Sequence, residues 1–246
     1  MMIVMIRETH AVSPFRYALL DLMKAPGNEL ILAYGYLTDC ITDDTDKTRL
    51  GYDFKRALNH SNMQNCTIYL IAGSFDYILK PATGSHQANF EKAYNKLKSY
   101  IKRNHPTITV APISHVNKIT ANKIWHGKIA LKKEKDVNAQ IGTVSAALVG
   151  SSNLSANATQ NSKVTKAVQS NCDIYLWDGN IHKSIFTSKG SSQDTKGISD
   201  ILPLPLTINN SNQSLSNPLG MTFPARPLVP LKDIFEHLYS KVQIYC

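Results

Sequence analysis

Residues 125–153 read WHGKIALKKEKDVNAQIGTVSAALVGSSN, and this stretch decides which fold the sequence predicts. Its apolar residues form two short runs, at 125–131 and 146–149, and runs of this length are typical of buried strands. The first run carries His126 and Lys128, and the second leads directly into GSSN. The stretch therefore predicts two neighbouring strands with polar side chains on them or just beyond their ends.

Hydrophobic periodicity outside this stretch predicts the remaining elements. Further strands are expected where short apolar or β-branched runs occur, at 29–37, 65–72, 107–110 and 172–177. Helices are expected where apolar residues recur at helical spacing, at 14–25, 86–103 and 233–242. Strands interleaved with helices predict an α/β fold built on a mixed β-sheet.

The composition changes after residue 187, and this change sets the expected domain boundary. Ser, Gly and Lys dominate 188–196, and Pro and Asn accumulate at 202–230 without a helical or strand period. We expect one α/β domain over residues 1–187. Residues 188–246 are expected to form an irregular extension that ends in a short helix and packs on the same domain.

Positive charge is concentrated in the half of the chain that carries the His-Gly-Lys sequence. The formal net charge is +9, and between Lys92 and Lys135 eleven lysines and arginines are opposed only by Glu134. Lysines close to phosphates release condensed counterions, so such a segment favours a polyanionic partner, and nucleic acid fits better than a neutral small molecule. The alternative is a basic surface that serves solubility alone.

Other features of the sequence exclude several classes of protein. The four cysteines form no CxxC pair and have no histidines at zinc-ligand spacing, so no metal site is expected and the thiols are expected to be reduced and mostly buried. The acidic residues between Asp39 and Asp46 lack calcium-loop spacing and are expected to be solvated. The apolar start of the chain is too short for a signal peptide, and no stretch approaches the ~20 apolar residues of a membrane span, so a cytoplasmic protein without membrane insertion is expected.

The polar residues near the two strands have the chemistry to cleave a phosphodiester without a metal. Positions i and i+2 of a strand point to the same face, so His126 and Lys128 are expected side by side, as a nucleophile and as a cation for the phosphoryl oxygens. Asn153 can donate its amide to the same phosphate, and the hydroxyls of Ser151 and Ser152 can add hydrogen bonds. Neither a metal nor another cofactor is needed for this chemistry.

The order of these motifs resembles the HxK…GSxN pattern of the phospholipase D superfamily. In that family an Asn-x-acid element follows on the next strand, and Asn171-Cys172-Asp173 matches it here, so Asp173 is expected to orient the imidazole of His126. The resemblance implies a catalytic domain over residues 1–187 with a phospholipase D-like mixed β-sheet sandwiched between helices. It also implies a covalent phosphohistidine at His126. Because the chain has one motif, the resemblance implies a homodimer that pools two motifs in one active site.

Two departures from the family pattern affect the details of the expected site. Lys133 stands where the family usually has an aspartate, and the segment between the two motifs is longer than usual. Glu134 or Asp136 is the candidate replacement for that aspartate. The chain looks more like the nuclease branch, which includes metal-independent restriction endonucleases, than like the lipid-cleaving branch.

The expected function is therefore phosphodiester hydrolysis by a DNA endonuclease, with a restriction-type enzyme as one form of it. Nucleic acid is expected to contact lysines beside the motif, namely Lys118, Lys123, Lys132 and Lys133. Two alternatives are open at this point: a phospholipase D-type hydrolase of lipids or small phosphodiesters, and a nucleic-acid-binding module with little or no catalytic activity.

Overall fold

A computed structural model gives the fold of this chain and describes residues 2–7, 13–35, 37, 41–45, 49–72, 85–115, 128–138, 140, 142–159, 171–177, 201–202 and 231–243. In these ranges the strands are β1 Met2–Arg7, β2 Glu29–Tyr34, β3 Thr67–Ala72, β4 Thr109–Val110, β5 Ser114–His115, β6 Lys128–Lys133, β7 Val144–Gly150, β8 Asn171–Trp177 and β9 Ile201–Leu202. The helices are α1 Pro14–Lys24, α2 Leu50–Ala57, α3 Ser85–Asn104, α4 Ala156–Thr159 and α5 Leu231–Ser240. A 3-10 turn covers Ser61–Met63.

The strands form one mixed sheet in the order β4-β3-β2-β6-β7-β8-β1-β9, with β5 also paired to β3. Strand β3 runs parallel to β2, β4 and β5, whereas β6, β7, β8, β1 and β9 join the sheet through antiparallel pairs. The predicted α/β class with a mixed sheet is confirmed. The strand carrying Lys128 occupies a central position, between β2 and β7.

Local sequence explains where the first elements begin and end. The side chain of Ser13 accepts a hydrogen bond from the Arg16 N–H at 3.2 Å and caps the first turn of α1. Pro14 follows at the first helical position, where its ring already holds φ at a helical value. Strand β2 is buried at every position, as its unbroken apolar run predicts, but it ends at Tyr34 rather than at residue 37.

Helices cover both faces of the sheet. On the face that we call the α1 face, helices α1, α2 and α3 pack Leu19, Phe54 and Leu97 into one core with Leu32 and Leu148 of the sheet. On the opposite face, the α5 face, a second core lies under α5, and its members include Ile31, Leu131, Leu176, Phe235, Tyr239 and Val242. The sheet is therefore the middle of three layers, and both faces of its central strands are buried.

Part of the C-terminal extension belongs to this layered structure. The helix expected at 233–242 is found at Leu231–Ser240 and packs on the α5 face, and Ile201–Leu202 pairs with β1 at an edge of the sheet. Residues 203–230 lie outside the described residues, so the expected irregular segment stays a prediction. The boundary at residue 187 also stays a prediction.

Two expectations about surface chemistry can be compared with the described residues. Cys66 is a buried free thiol, as expected, whereas Cys172 is exposed, and Cys40 and Cys246 lie outside the described ranges. No helix within the described part of the chain has the length and apolar character needed to cross a membrane.

Candidate active site

Four strands bring polar groups together at one end of the sheet, which we call the site edge and define by Tyr34, Lys128, Gly150 and Asp173. Tyr34, the last residue of β2, is directly opposite Lys128, the first residue of β6. Gly150, the last residue of β7, is directly opposite Asp173 near the start of β8. Residues directly opposite in a ladder point to the same face, so the Tyr34 and Lys128 side chains both point to the α1 face.

The carboxylate of Asp173 is buried and held by Ser152. The side chain is 2% exposed, the Ser152 hydroxyl donates to Oδ2 at 2.6 Å, and the Ser152 N–H donates to Oδ1 at 3.0 Å. Burial raises the pKa of Asp173, while the hydrogen bonds from Ser152 and the charge of Lys128 oppose that rise. Asp173 is thus a fixed acceptor with a perturbed pKa, as is common for functional carboxylates.

Gly150 is required by the position of this carboxylate. A Cβ atom built on Gly150 would collide with Asp173 Oδ1 and would lie 2.6 Å from the Cys172 carbonyl oxygen. Only a residue without a side chain leaves room for the Asp173 side chain above β7. The glycine of GSSN therefore has a packing reason that the sequence alone does not give.

Lys128 places a buried cation near enough to Asp173 for the two charges to interact. Its side chain is 4% exposed, and burial lowers the pKa of the ammonium group, while the nearby charge of Asp173 opposes that change. Opposite charges in low dielectric attract strongly, so Lys128 and Asp173 stabilise each other's charged forms. The predicted role of Asp173, which is to orient the His126 imidazole, stays a prediction because His126 lies outside the described residues.

Two buried polar atoms near the site edge have no hydrogen-bond partner among the described residues. They are the phenol oxygen of Tyr34 and Oδ1 of Asn153. Tyr34 is 1% exposed, and the centre of its ring lies 6.2 Å from the centre of the Phe15 ring in an edge-to-face contact. Burial of the phenol, and to a smaller extent the charge of Asp173, raises its pKa. Buried polar atoms are nearly always bonded, so these two atoms are positioned for hydrogen bonds to groups outside the described residues.

Tyr34 was missed by the sequence analysis. Its strand was predicted, and a tyrosine at the end of an otherwise apolar buried strand was a usable signal, because its hydroxyl must be buried or reach the end of the sheet. The sequence does not show the pairing register of β2 with β6, which places Tyr34 opposite Lys128.

The two serines of GSSN have different roles from those predicted. Ser152 is buried and its hydroxyl proton is used in the bond to Asp173, so the prediction that Ser152 binds phosphate is wrong; it positions Asp173 instead. Ser151 is exposed, and its hydroxyl oxygen accepts a hydrogen bond from the Cys172 N–H at 2.9 Å. The hydroxyl proton of Ser151 is not used in that bond, so its contact with phosphate stays a prediction.

Lys132 does not contact nucleic acid as predicted, because it is buried in the α1 face. Its side chain is fully buried, and Nζ donates to the Asn62 carbonyl at 2.9 Å and lies 3.3 Å from both Met63 Sδ and Cys66 Sγ. Burial lowers the pKa of this ammonium group. The physical reason is the central position of β6, whose even-numbered side chains all enter the core.

Lys133 is likewise wrong as a nucleic-acid contact. Its ammonium group is fully buried, bonds Glu29 at 2.9 Å and Asp136 at 2.6 Å, and lies 4.5 Å from the centre of the Tyr239 ring. Asp136 therefore neutralises a lysine at the end of β6 opposite to Lys128, which argues against Asp136 as the replacement for the family's aspartate. Glu134 is exposed at that same end.

Three predicted site residues lie outside the described residues: His126, Lys118 and Lys123. Their roles as nucleophile and nucleic-acid contacts stay predictions. Within the described ranges, no three His, Cys, Asp or Glu side chains are grouped so that they could hold a metal ion.

Comparison with other proteins does not identify a family for this chain. No model of a known protein family matches it, and no curated protein matches it in sequence. The residues of the site edge are therefore the basis on which a function is proposed.

Proposed function

We propose that this protein is a metal-independent phosphodiesterase of the phospholipase D-like fold, and specifically a DNA endonuclease that acts through a phosphohistidine at His126. The observation that carries the proposal is the buried arrangement of Lys128, Asp173 and Ser152 at one sheet edge, beside two orphaned polar atoms. Buried groups of opposite charge with perturbed pKa values, next to unsatisfied polar atoms, are typical of catalytic sites.

In the proposed reaction, a nitrogen of His126 attacks phosphorus, and the bond from phosphorus to the leaving oxygen breaks. The partner subunit's His126, in its protonated form, gives its proton to that oxygen. Water then attacks the phosphohistidine, its proton passes to the histidine that acted as acid, and the nitrogen–phosphorus bond breaks. The two histidines return to their starting protonation states, so the cycle needs no metal.

The described residues have separate parts in this mechanism. Lys128 and the amide N–H groups of Asn153 stabilise negative charge on the phosphoryl oxygens, and the low-dielectric surroundings of Lys128 strengthen that effect. Asp173, fixed by Ser152, keeps one tautomer of the His126 imidazole. A homodimer with an isologous interface supplies both histidines.

The second candidate is a nucleic-acid-binding module without turnover, and the burial of Lys128 favours it. An ammonium group that is 4% exposed and close to a buried carboxylate is also what a structural ion pair looks like. In that case Lys128 and Asp173 hold the sheet edge together and no phosphate reaches them.

One assay separates these candidates: nicking of supercoiled plasmid DNA in excess EDTA by the parent protein, by His126→Ala and by His237→Ala. His237 is an exposed histidine on α5 and serves as the matched control. We expect the parent and His237→Ala to cut equally and His126→Ala to lose at least about a thousandfold in rate, because the nucleophile is removed.

Two other results would each decide against the endonuclease, and a third would decide against its metal-independent mechanism. DNA binding without nicking by the parent supports the binding module. Hydrolysis of a small phosphodiester by the parent, with no action on DNA, supports the small-diester alternative. Nicking that EDTA abolishes means that a metal carries the reaction.

A further inference from the structure

A groove of about 840 Å³ lies on the outer side of the helical layer that covers the α1 face. It is formed by α2, α3 and the loop 41–45, and it contains the side chains of Lys55, Lys92, Lys96 and Arg103. The site edge contributes no residue to its lining. The groove is therefore a surface separate from the candidate active site.

The groove is positively charged. Its lining has four cations against two acids, Asp43 and Asp44, which leaves a net charge of +2. Asp44 forms an ion pair with Lys55 at 2.6 Å, and Asp43 pairs with Arg49 at 3.5 Å and accepts hydrogen bonds from Thr45. Both acids are thus engaged mainly by residues on the loop and α2 side, and the charge of Lys96 on α3 also acts on Asp43. The α3 side contributes the larger part of the positive charge.

The cations of α3 follow one stripe of the helix. Residues 92, 96 and 103 fall within roughly 40° of each other around the helix axis, and 92 to 103 spans about 16 Å along it. That length corresponds to about five phosphates of one duplex strand at a 3.4 Å rise. Tyr100, half-buried between them with Lys55 Nζ 4.6 Å from its ring centre, adds an aromatic surface to the groove floor.

The apolar side of α3 fixes this stripe relative to the rest of the fold. Phe90, Leu97 and Ile101 are buried in the α1-face core, which also contains Tyr34 of the site edge. The orientation of the stripe is therefore set by the packing of α3, and its cations are exposed on the opposite side of the helix.

We propose that this groove binds the phosphate backbone of a nucleic acid, as an anchoring surface outside the active site. A linear array of cations matches an extended polyanion better than a compact one, because each cation can meet a different phosphate. The choice of nucleic acid among polyanions rests on the proposed function.

The test compares two pairs of lysines on the same helix. Lys92→Gln/Lys96→Gln neutralises two groove cations, and Lys98→Gln/Lys102→Gln neutralises two exposed cations at the same i, i+4 spacing outside the groove lining. Both variants are made in full-length His126→Ala protein so that the probe is not cut. Fluorescence anisotropy then gives the Kd for a labelled DNA duplex of about 20 base pairs between about 50 and about 200 mM salt.

We expect the groove pair to reduce the slope of log K against log salt by about 1.8 and to raise Kd about 60-fold at about 100 mM salt, since each lost phosphate contact removes about 0.9 from the slope. The control pair is expected to change the slope by less than about 0.5. Equal losses in both pairs, or an unchanged slope in the groove pair, would overturn the proposal.

Failure here is distinguishable from failure of the endonuclease proposal. DNA binding that depends on the groove, by a protein that never nicks DNA, refutes the endonuclease proposal and leaves the groove proposal standing. Nicking by a protein whose DNA binding does not depend on Lys92 and Lys96 refutes the groove proposal and leaves the endonuclease proposal standing.

Discussion

At the scale of single residues, Asp173 is the group on which the site edge depends. It accepts two hydrogen bonds from Ser152, its charge opposes the fall in the pKa of Lys128, and it contributes to the raised pKa of Tyr34. The pKa shifts of Lys128 and Tyr34 come first from their own burial, and the charge of Asp173 acts on both in addition. Changes to Tyr34 or Asp173 test this arrangement most directly.

Replacing Tyr34 with phenylalanine separates a functional phenol from a structural one. Because the Tyr34 hydroxyl has no hydrogen-bond partner among the described residues, its removal is expected to leave the free energy of unfolding unchanged or to raise it by about 1 kcal/mol. If the phenol contacts the substrate, the rate of cleavage falls about tenfold or more. Urea unfolding and plasmid nicking measure the two effects.

Tyr175 provides the matched control for this change. Its hydroxyl donates to Asp21 at 2.9 Å in the same core, so Tyr175→Phe is expected to lose about 1 to 3 kcal/mol of stability. A Tyr34→Phe variant that loses as much stability as Tyr175→Phe would mean that the Tyr34 hydroxyl is bonded in the folded protein.

Asp173 makes stability depend on pH in a defined direction. Burial raises its pKa in the folded protein above the ordinary value of 3.8, so the folded state binds more protons than the unfolded state between those two pKa values. The contribution of Asp173 to stability is present below the unfolded pKa and is lost as the pH rises through the folded pKa. Asp173→Asn is expected to remove this part of the slope in urea unfolding from about pH 3.5 to about pH 7. An unchanged slope would show that Asp173 does not titrate differently on folding.

At the scale of elements, the junction of β7 and β8 shapes the site. Strand β7 ends at Gly150, and the next two residues each bond the start of β8, Ser151 through Cys172 and Ser152 through Asp173. The isolated bridge between Leu37 and Leu154 then ties the segment after β7 to the segment after β2. These contacts join the ends of β2, β7 and β8 into one unit around Lys128.

Gly150→Ala tests whether this junction has room for a side chain. The added methyl group would collide with the Asp173 carboxylate and crowd the Cys172 backbone, so we expect a loss of about 1 to 3 kcal/mol in unfolding free energy together with loss of cleavage. Thr143→Ala, at the exposed residue just before the same strand, is the control and is expected to change stability by less than about 0.5 kcal/mol. A fully stable and active Gly150→Ala protein would contradict the packing reason for this glycine.

At the scale of the whole molecule, the three-layer arrangement decides which charges face solvent. Lys132 and Lys133 are consecutive, yet they enter opposite cores because side chains alternate along β6. Lys133 joins Glu29 of β2 to Asp136 and lies against Tyr239 of α5, so a buried ion cluster connects the C-terminal helix to the sheet. Lys132 meets one carbonyl and two sulfur atoms instead.

The two lysines are expected to respond differently to replacement by methionine. Lys133→Met leaves the buried carboxylate of Glu29 without its cation and is expected to lose about 3 to 5 kcal/mol in urea unfolding. Lys132→Met removes a buried ammonium that has no carboxylate partner in the described contacts, so its stability is expected to change by less than about 1 kcal/mol or to increase. Neither change is expected to alter the salt dependence of DNA binding. A reduced slope of log K against log salt in Lys132→Met would mean that Lys132 contacts nucleic acid after all.

Much of the fold could be predicted from the sequence, whereas the site could be predicted only in part. Periodicity placed α1, α3 and α5 and the strands β2, β3, β6, β7 and β8 within a few residues, because alternation and helical spacing are local properties. Strand β1 and helix α2 were not predicted. The motif resemblance predicted that Asp173 orients His126, and this role stays a prediction. The role of Tyr34 was not predicted, because the pairing of β2 with β6 brings together residues almost a hundred positions apart.

The sequence by itself determined most of the elements, the α/β class and the concentration of positive charge between Lys92 and Lys135. Only the tertiary structure decided which of those charges are available to a partner. Lys92 and Lys96 line an open groove, while Lys132 and Lys133 are buried, and all four read alike as basic residues in the sequence. The physical reason is that burial depends on strand order and on what covers each face of the sheet, and neither is a property of the local sequence.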